Sequence, residues 1–314
     1  MDLTIGVDVG GTKIAAGAVD ASGHVVEQAR VSTPATTSKD VEDAVVEAVL
    51  QLHAAHDVSA IGLAVPGFVD EKRSTLRFTP NLPMVDRPLR EIVEKAVGRP
   101  VVVENDANAA AWGEHRFGGG RQNPEMVLVT VGTGLGGGIV LRGELVRGAF
   151  GSAAEIGHMR MVPGGLPCGC GNHGCWEQYC SGRALVRQAR ALCREDRSAG
   201  AALLELAGGD PEAVTGTMIA DAALAGDPAA IGLFAGIGRW LGEGIADLAV
   251  VLDPAVVVVG GGVGEAGDLL LEPARTAYAE ALSAGSRRPH LEIMPAALGN
   301  DAGLIGAADL ARRP

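Results

Sequence analysis

The chain opens on an apolar run, Leu3 to Val9, a glycine pair, and a second apolar run, Ile14 to Val19. Short β-rich runs around a glycine turn predict a hairpin, and His24 to Ser32 continues it as a third strand. Val41 to His53 then shows helical periodicity, Ala60 to Val65 reads as a short apolar strand, Leu89 to Val97 as a helix and Pro100 to Glu104 as another strand. Three leading antiparallel strands followed by helix, strand, helix and strand give a mixed α/β unit, unlike a uniform βαβ series.

The same pattern returns further on. Met126 to Leu141 is again strand, glycine turn, strand, and self-similarity at such separation predicts a duplicated fold with two halves facing each other. Helices are expected at Gly182 to Arg194 and Met218 to Ala225, with a polar, glycine-rich surface insertion between them. A long helix from about Ala229 to Leu252 follows, then a buried strand Ala255 to Val259, a turn at Gly260-Gly261-Gly262, a helix near Leu269 to Ala284, a strand Leu291 to Pro295 and a closing helix Ala302 to Arg312.

Composition narrows the function classes. A chain of 314 residues predicts two domains. A formal net charge of −12 argues against a nucleic-acid partner, because phosphate backbones are bound through surplus Lys and Arg; a nucleotide substrate needs only a few local donors. The most apolar later stretch, Ile245 to Val263, is broken by Asp247, Asp253 and Pro254, so no membrane span is expected, nor is a leader, since no basic segment and long apolar run open the chain. Five cysteines, three of them in metal spacing, fit a reducing compartment better than a disulfide framework, and the expectation is cytoplasmic.

Candidate chemistry falls in five places. His158, Cys168, Cys170 and Cys175 have the residue types and spacing of a tetrahedral Cys₃His zinc site, and the acidic Glu155 and Glu177 flank it. Asp8, Gly10, Gly11, Thr12 and Lys13 join a carboxylate, two glycines, a hydroxyl and a cation in one turn; the backbone and side-chain donors suit phosphate and Asp8 suits Mg²⁺, although the same glycines would serve an ordinary hairpin. The run Gly132, Thr133, Gly134, Leu135, Gly136, Gly137 and Gly138 is a second such turn, and Gly261 and Gly262 form a third at the carboxyl end of a strand, where open α/β sheets bind ligands. Asn105 and Asp106 lie where a strand gives way to an Ala-rich helix. There Asp106 reads either as the helix N-cap or as a general base with Asn105 positioning the hydroxyl it activates. Cys180 and Cys193 read as buried small hydrophobes, and His173 is left out of the metal set.

Taken in order along the chain, Asp8 to Lys13, Glu104-Asn105-Asp106-Ala107-Asn108, Gly132 to Gly138, Glu155-Ile156-Gly157-His158 and Cys168 to Glu177 resemble the ROK family of sugar kinases, and within it the ATP-dependent glucokinases of actinobacteria. The resemblance runs from Ile5 to the segment Gly303 to Ala308. It implies an actin-like ATPase fold of two ribonuclease-H-like domains, a smaller one of residues 1–115 with about 300–314 and a larger one of residues 116–299. It implies glucose and ATP as ligands, Asp106 as the base for the sugar's 6-hydroxyl, and hydroxyl readers at Asn105, Glu155, His158 and Glu177. It also implies sugar contacts at Gly67 and Asn81, which the local sequence supports only as turn residues. Structural zinc on His158, Cys168, Cys170 and Cys175, Mg²⁺ with ATP, and a homodimer or homotetramer complete what it implies. N-acetylmannosamine kinase or fructokinase activity stays open within the family. A sugar-responsive repressor is disfavoured, because the first strand at Leu3 leaves no room for a DNA-reading unit.

Overall fold

The computed structural model describes residues 2–34 and 36–313. Its first elements are β1 (Leu3–Val9), β2 (Lys13–Val19), β3 (Val25–Ser32), α1 (Ser38–His53), β4 (Val58–Val65), β5 (Phe68–Val69), β6 (Leu76–Phe78), β7 (Val85–Arg87), α2 (Leu89–Val97), β8 (Val101–Asn105) and α3 (Asp106–Phe117). There follow β9 (Met126–Val131), β10 (Leu135–Leu141), β11 (Glu144–Leu145), α4 (Gly182–Glu195), α5 (Ala201–Leu206), α6 (Gly216–Leu224), α7 (Pro228–Leu252), β12 (Val256–Gly260), α8 (Asp268–Ala281), β13 (Glu292–Pro295) and α9 (Ala302–Ala311). The interval expected as a polar, glycine-rich surface insertion holds α5 and a 3₁₀ turn at Pro211–Ala213, and Leu203 and Leu204 bury there. The three-stranded sheet β5-β6-β7 and the two-residue strand β11 were not expected, being too short to show a period.

Both five-stranded sheets have one strand order, β3-β2-β1-β4-β8 and β11-β10-β9-β12-β13, that is third, second, first, fourth, fifth. The duplication read from the two hairpins therefore extends to the whole sheet. In the first sheet β2 is antiparallel to β1 and β3, while β4 and β8 run parallel to β1. The chain divides into two compact units, residues 1–128 with 137–154 and 296–314, and residues 129–136 with 155–295.

In the first unit the period of two sorts each strand into faces. Ile5, Val7, Ile14, Leu63 and Val103 form one core with Val41, Val45, Val49 and Leu52 of α1 and Val93 of α2. On the opposite face Gly17, Gly6 and Gly62 stand side by side across β2, β1 and β4, and α9 lies directly on that row. A Cβ at Gly6 would sit 1.9 Å from the Leu304 carbonyl oxygen, one at Gly62 1.9 Å from that of Ala307. Thr4, on the same face, donates its hydroxyl to the Ala308 carbonyl at 2.9 Å. α3 packs against α9 by the same device, since a Cβ at Gly306 would lie 1.8 Å from the Ala109 carbonyl. Glu114 of α3, fully buried, ties the chain entering α9 by accepting the N–H groups of Ala297 and Leu298 at 3.1 and 2.7 Å.

Among the described residues no single helix is long and apolar enough to cross a membrane.

Two effects compete at Gly62. Alanine in a strand gains about 0.5–1 kcal/mol over glycine from the unfolded chain, but here it meets a helix backbone that has no rotamer to give. We predict that Gly62→Ala destabilises by roughly 3 kcal/mol, the upper range for overpacking, as read by urea unfolding of the purified chain; a neutral or stabilising result would refute the flush packing of α9.

Candidate active site

Strand alternation also sets the first group of polar side chains. Asp8 shares the face of Thr4 and Gly6 and so emerges at the C-terminal end of β1, beside the start of α9, where a Cβ at Gly303 would lie 3.7 Å from its carboxyl. The turn after it is closed by Gly10 N–H donating to the Lys13 carbonyl at 3.0 Å. The chain after β3 braces this turn: Thr33 donates its N–H to the Thr12 carbonyl at 3.0 Å and its hydroxyl to that of Gly10 at 2.7 Å. Thr12 and Lys13 are exposed, and Asn81 packs beside Gly11.

β8 ends at Asn105, and the N-cap of α3 is Asn105, whose side chain accepts the Asn108 N–H at 3.0 Å. The N-cap reading of Asp106 is therefore corrected: Asp106 is the first helical residue, and its Oδ1 accepts the Ala107 N–H at 2.8 Å. The Asn105 amide also reaches the Gly67 carbonyl at 3.1 Å. Gly67 is at φ +114°, and a Cβ there would meet the Phe78 carbonyl at 2.1 Å, so this position requires glycine.

Behind this pair lies a cluster that the sequence analysis missed. Glu104, 1 % exposed, accepts the Asn105 N–H and the Asn108 amide through Oε1 at 3.0 and 3.2 Å, and its Oε2 lies 2.7 Å from Arg147 Nε and 3.2 Å from Arg73 Nε. Arg147 in turn donates to the Asp70 and Glu71 carbonyls. A buried carboxylate needs such partners. Their positions along the chain follow no period, so only the acidic residue beside Asn105 was visible beforehand.

In the second unit the cysteine segment folds as a knuckle. Cys168 donates its N–H to the Asn172 carbonyl at 2.8 Å, and Gly174, at φ +78°, lies under the Val162 carbonyl. Ligand atoms of His158, Cys168, Cys170 and Cys175 all fall within 4.8 Å of one another. The His158 Nδ1 to Cys168 Sγ distance is 3.7 Å and Cys170 Sγ to Cys175 Sγ is 3.6 Å. A tetrahedral zinc with Zn–S of about 2.3 Å and Zn–N of about 2.0 Å has edges of roughly 3.5–3.8 Å, so these four side chains fit such an ion. With Nδ1 turned to the sulfurs, Nε2 of His158 is left for another partner. Glu177 touches the cluster, 3.0 Å from Cys168 Sγ, and also the Gly132–Gly134 turn, where a Cβ at Gly134 would lie 2.9 Å from its Oε2. Gly157 packs equally close, under the Leu135 carbonyl. Glu155 is exposed, yet atoms crowded about its carboxyl and the Glu177 charge raise its pKa against the opposing pull of His158.

Only Gly132, Thr133 and Gly134 make the second turn. Leu135, Gly136, Gly137 and Gly138 already belong to β10, and Gly138 packs on Ala111 of α3. Gly261, at φ +83°, lies against Val131, and Val263 donates its N–H to the Val131 carbonyl at 2.8 Å, so the third turn is held beside the second. Gly132, Thr133 and Gly262 line a cavity of about 1130 Å³, walled by Phe234, Leu269 and residues of α4 and α6. That volume and apolar wall suit a nucleoside, with backbone donors at one end for its phosphates.

Asp8 is strained electrostatically. Burial first, then the charge of Asp106, lift its pKa from 3.8 to about 6; Lys13 opposes and Asp301 adds to the rise. An acid raised on folding favours the folded state fully below pH 3.8, and this contribution is lost as pH climbs through about 6. We predict that Asp8→Asn, in buffer without divalent cations, is more stable than wild type at pH 7.5 by on the order of 2 kcal/mol, the gain vanishing towards pH 4. A gain independent of pH would contradict the assignment.

Residues 4–314 match the ROK family. The chain is 51% identical over its full length to a glucokinase of Streptomyces coelicolor, covering 99% of that protein, and 37% identical over 98% of its length to an N-acetylmannosamine kinase of Escherichia coli, covering 98% of that one. A ROK family glucokinase from Streptomyces griseus, solved in complex with glucose and AMPPNP, superposes with a TM-score of 0.91 at 51% identity, over 99% of this chain and 100% of that one. The paired sheets of equal strand order thus make up the actin-like ATPase fold. By its motifs, its strand order and these likenesses, the chain belongs to the ROK family.

Proposed function

We propose that the chain is a glucokinase, transferring the γ-phosphoryl group of ATP to the 6-hydroxyl of glucose. The observation that carries this reading is the likeness, over essentially the full length, to a glucokinase solved with glucose and AMPPNP. Asp106 takes the proton of the 6-hydroxyl as its oxygen attacks the phosphorus, and the Asn105 amide, oriented by the Gly67 carbonyl, fixes the hydroxyl's direction. Gly67 and Asn81 add contacts beside Asn105 and the first turn. Glu155, the Nε2 of His158 and Glu177 read the other hydroxyls.

Donor phosphates take the N–H groups and side chains of Gly10, Gly11, Thr12 and Lys13 and of the turn Gly132-Thr133-Gly134, with the Gly261-Gly262 turn held beside the latter as a further part of the nucleotide site. Leu135, Gly136, Gly137 and Gly138 support that turn as the start of β10. Asp8 would hold Mg²⁺ directly or through water, and the ion, bound with ATP, would supply positive charge against the transferred group. His158, Cys168, Cys170 and Cys175 would hold a structural zinc, and the ion would fix the ring of His158. The reading includes a cytoplasmic location and assembly as a homodimer or homotetramer.

A coupled assay across hexoses and donors tests it. Glucose with ATP is expected to give the highest kcat/KM, with N-acetylmannosamine and fructose well below. Asp106→Asn should lower kcat by about 10²–10⁴-fold, the contribution of a placed base, with glucose affinity and thermal stability kept. N-acetylmannosamine outcompeting glucose would overturn the substrate, and near-normal kcat in the variant would overturn the base.

A further inference from the structure

Four arginines of α4, Arg183, Arg187, Arg190 and Arg194, line the cavity of the second unit. Their spacing of four, three and four puts them on one helix face. Three are committed to acceptors within the unit. Arg187 donates to the Gln178 carbonyl, Arg190 to the Val214 carbonyl at 3.1 and 3.2 Å, and both Arg190 and Arg194 pair with Glu212. Arg183 differs: among the described residues its guanidinium has no hydrogen-bond, ion-pair or ring partner.

Its place is fixed nonetheless. The Gly182 N–H donates to the Gly132 carbonyl at 2.7 Å, and that of Arg183 points to the Thr133 carbonyl at 3.4 Å. A Cβ at Gly182 would lie 2.9 Å from the Gly132 oxygen, so the start of α4 is set directly against the glycine turn. These N–H groups are occupied by the turn, which leaves the Arg183 side chain as the donor that α4 offers at this end. Eleven residues of helix separate Arg183 from Arg194, about 16 Å. At the glycine-turn end of the cavity Arg183 is thus a cation without an ion-pair partner among the described residues, although Glu265 also lines the cavity, while Arg190 and Arg194 further along α4 share Glu212.

We propose that Arg183 binds the phosphate chain of the nucleotide donor, and that this one unpaired guanidinium on α4, with Arg190 and Arg194 held by Glu212, sets the direction in which the donor lies. The inference rests on reading the cavity as the nucleotide site. A guanidinium offers forked donors matched to phosphate oxygens, and an ion-paired phosphate contact is stronger than a neutral one. Adenosine carries no phosphate and gains nothing from the contact; ADP gains it in full.

The test is calorimetric titration of wild type, Arg183→Ala and Arg183→Lys with adenosine, AMP and ADP. Arg183→Ala is expected to weaken ADP about tenfold, as for loss of one charge-assisted contact, to leave adenosine unchanged, and to leave glucose affinity unchanged; Arg183→Lys recovers part of the loss. Equal weakening of adenosine and ADP would show a merely structural role and overturn the proposal. So would ADP affinity equal in wild type and Arg183→Ala, with the cavity reading intact. Wild type that bound none of the three would overturn both.

Discussion

Residues 146–181, between β11 and α4, contain no helix or strand beyond two 3₁₀ turns and the isolated antiparallel bridges Arg160–Cys175 and Pro167–His173, so this segment must satisfy most of its backbone and fix its side chains by other means. The Cys₃His group is the central one. Around it the knuckle closes on itself through Cys168, Asn172 and Gly174. Trp176, fully buried, anchors the knuckle to α7: its indole N–H donates to the Trp240 carbonyl at 2.8 Å, and its ring lies where a Cβ at Gly244 would be. The Tyr179 ring packs on Trp240, and its hydroxyl accepts the Leu166 N–H. Glu155, His158 and Glu177, three of the proposed sugar readers, sit on this one clamped stretch, and Glu177 joins it to the Gly132–Gly134 turn, which the proposed nucleotide cavity adjoins.

Glycine solves a related problem elsewhere. Gly67 and Gly261 take the positive φ of tight turns against neighbouring backbone. Gly6, Gly17 and Gly62 do something else, since they let α9 lie flush on β1, β2 and β4. The sequence shows a glycine within each strand, but only register puts the three side by side. A tolerance for close approach was legible; its partner was not.

The same division runs through the site. Hairpins, the duplicated pattern and the cysteine spacing are local, and the structure has them nearly where the sequence puts them. Asn105 and Asp106 were legible as a strand-to-helix junction, yet which of them caps α3 depends on backbone angles at that junction. The partners of Glu104, at Arg73 and Arg147, come from separate loops and leave no periodic trace. Arg183 lay in a helix whose face could be drawn, but its lack of a partner is visible only once Gln178, Glu212 and Val214 are seen holding its neighbours.

The Cys₃His cluster, read as a zinc site, holds the proposed sugar readers Glu155, His158 and Glu177 directly and reaches the proposed nucleotide cavity only through Glu177 at the Gly132–Gly134 turn. The most direct measurement is a calorimetric titration of glucose, and of ADP, into the protein before and after removal of its metal by a chelator, at a temperature where both forms stay folded. Glucose affinity is expected to fall by about tenfold or more, in line with the loss of a fixed ligand orientation, and ADP affinity to fall by much less. Glucose affinity unchanged after complete metal removal would contradict it.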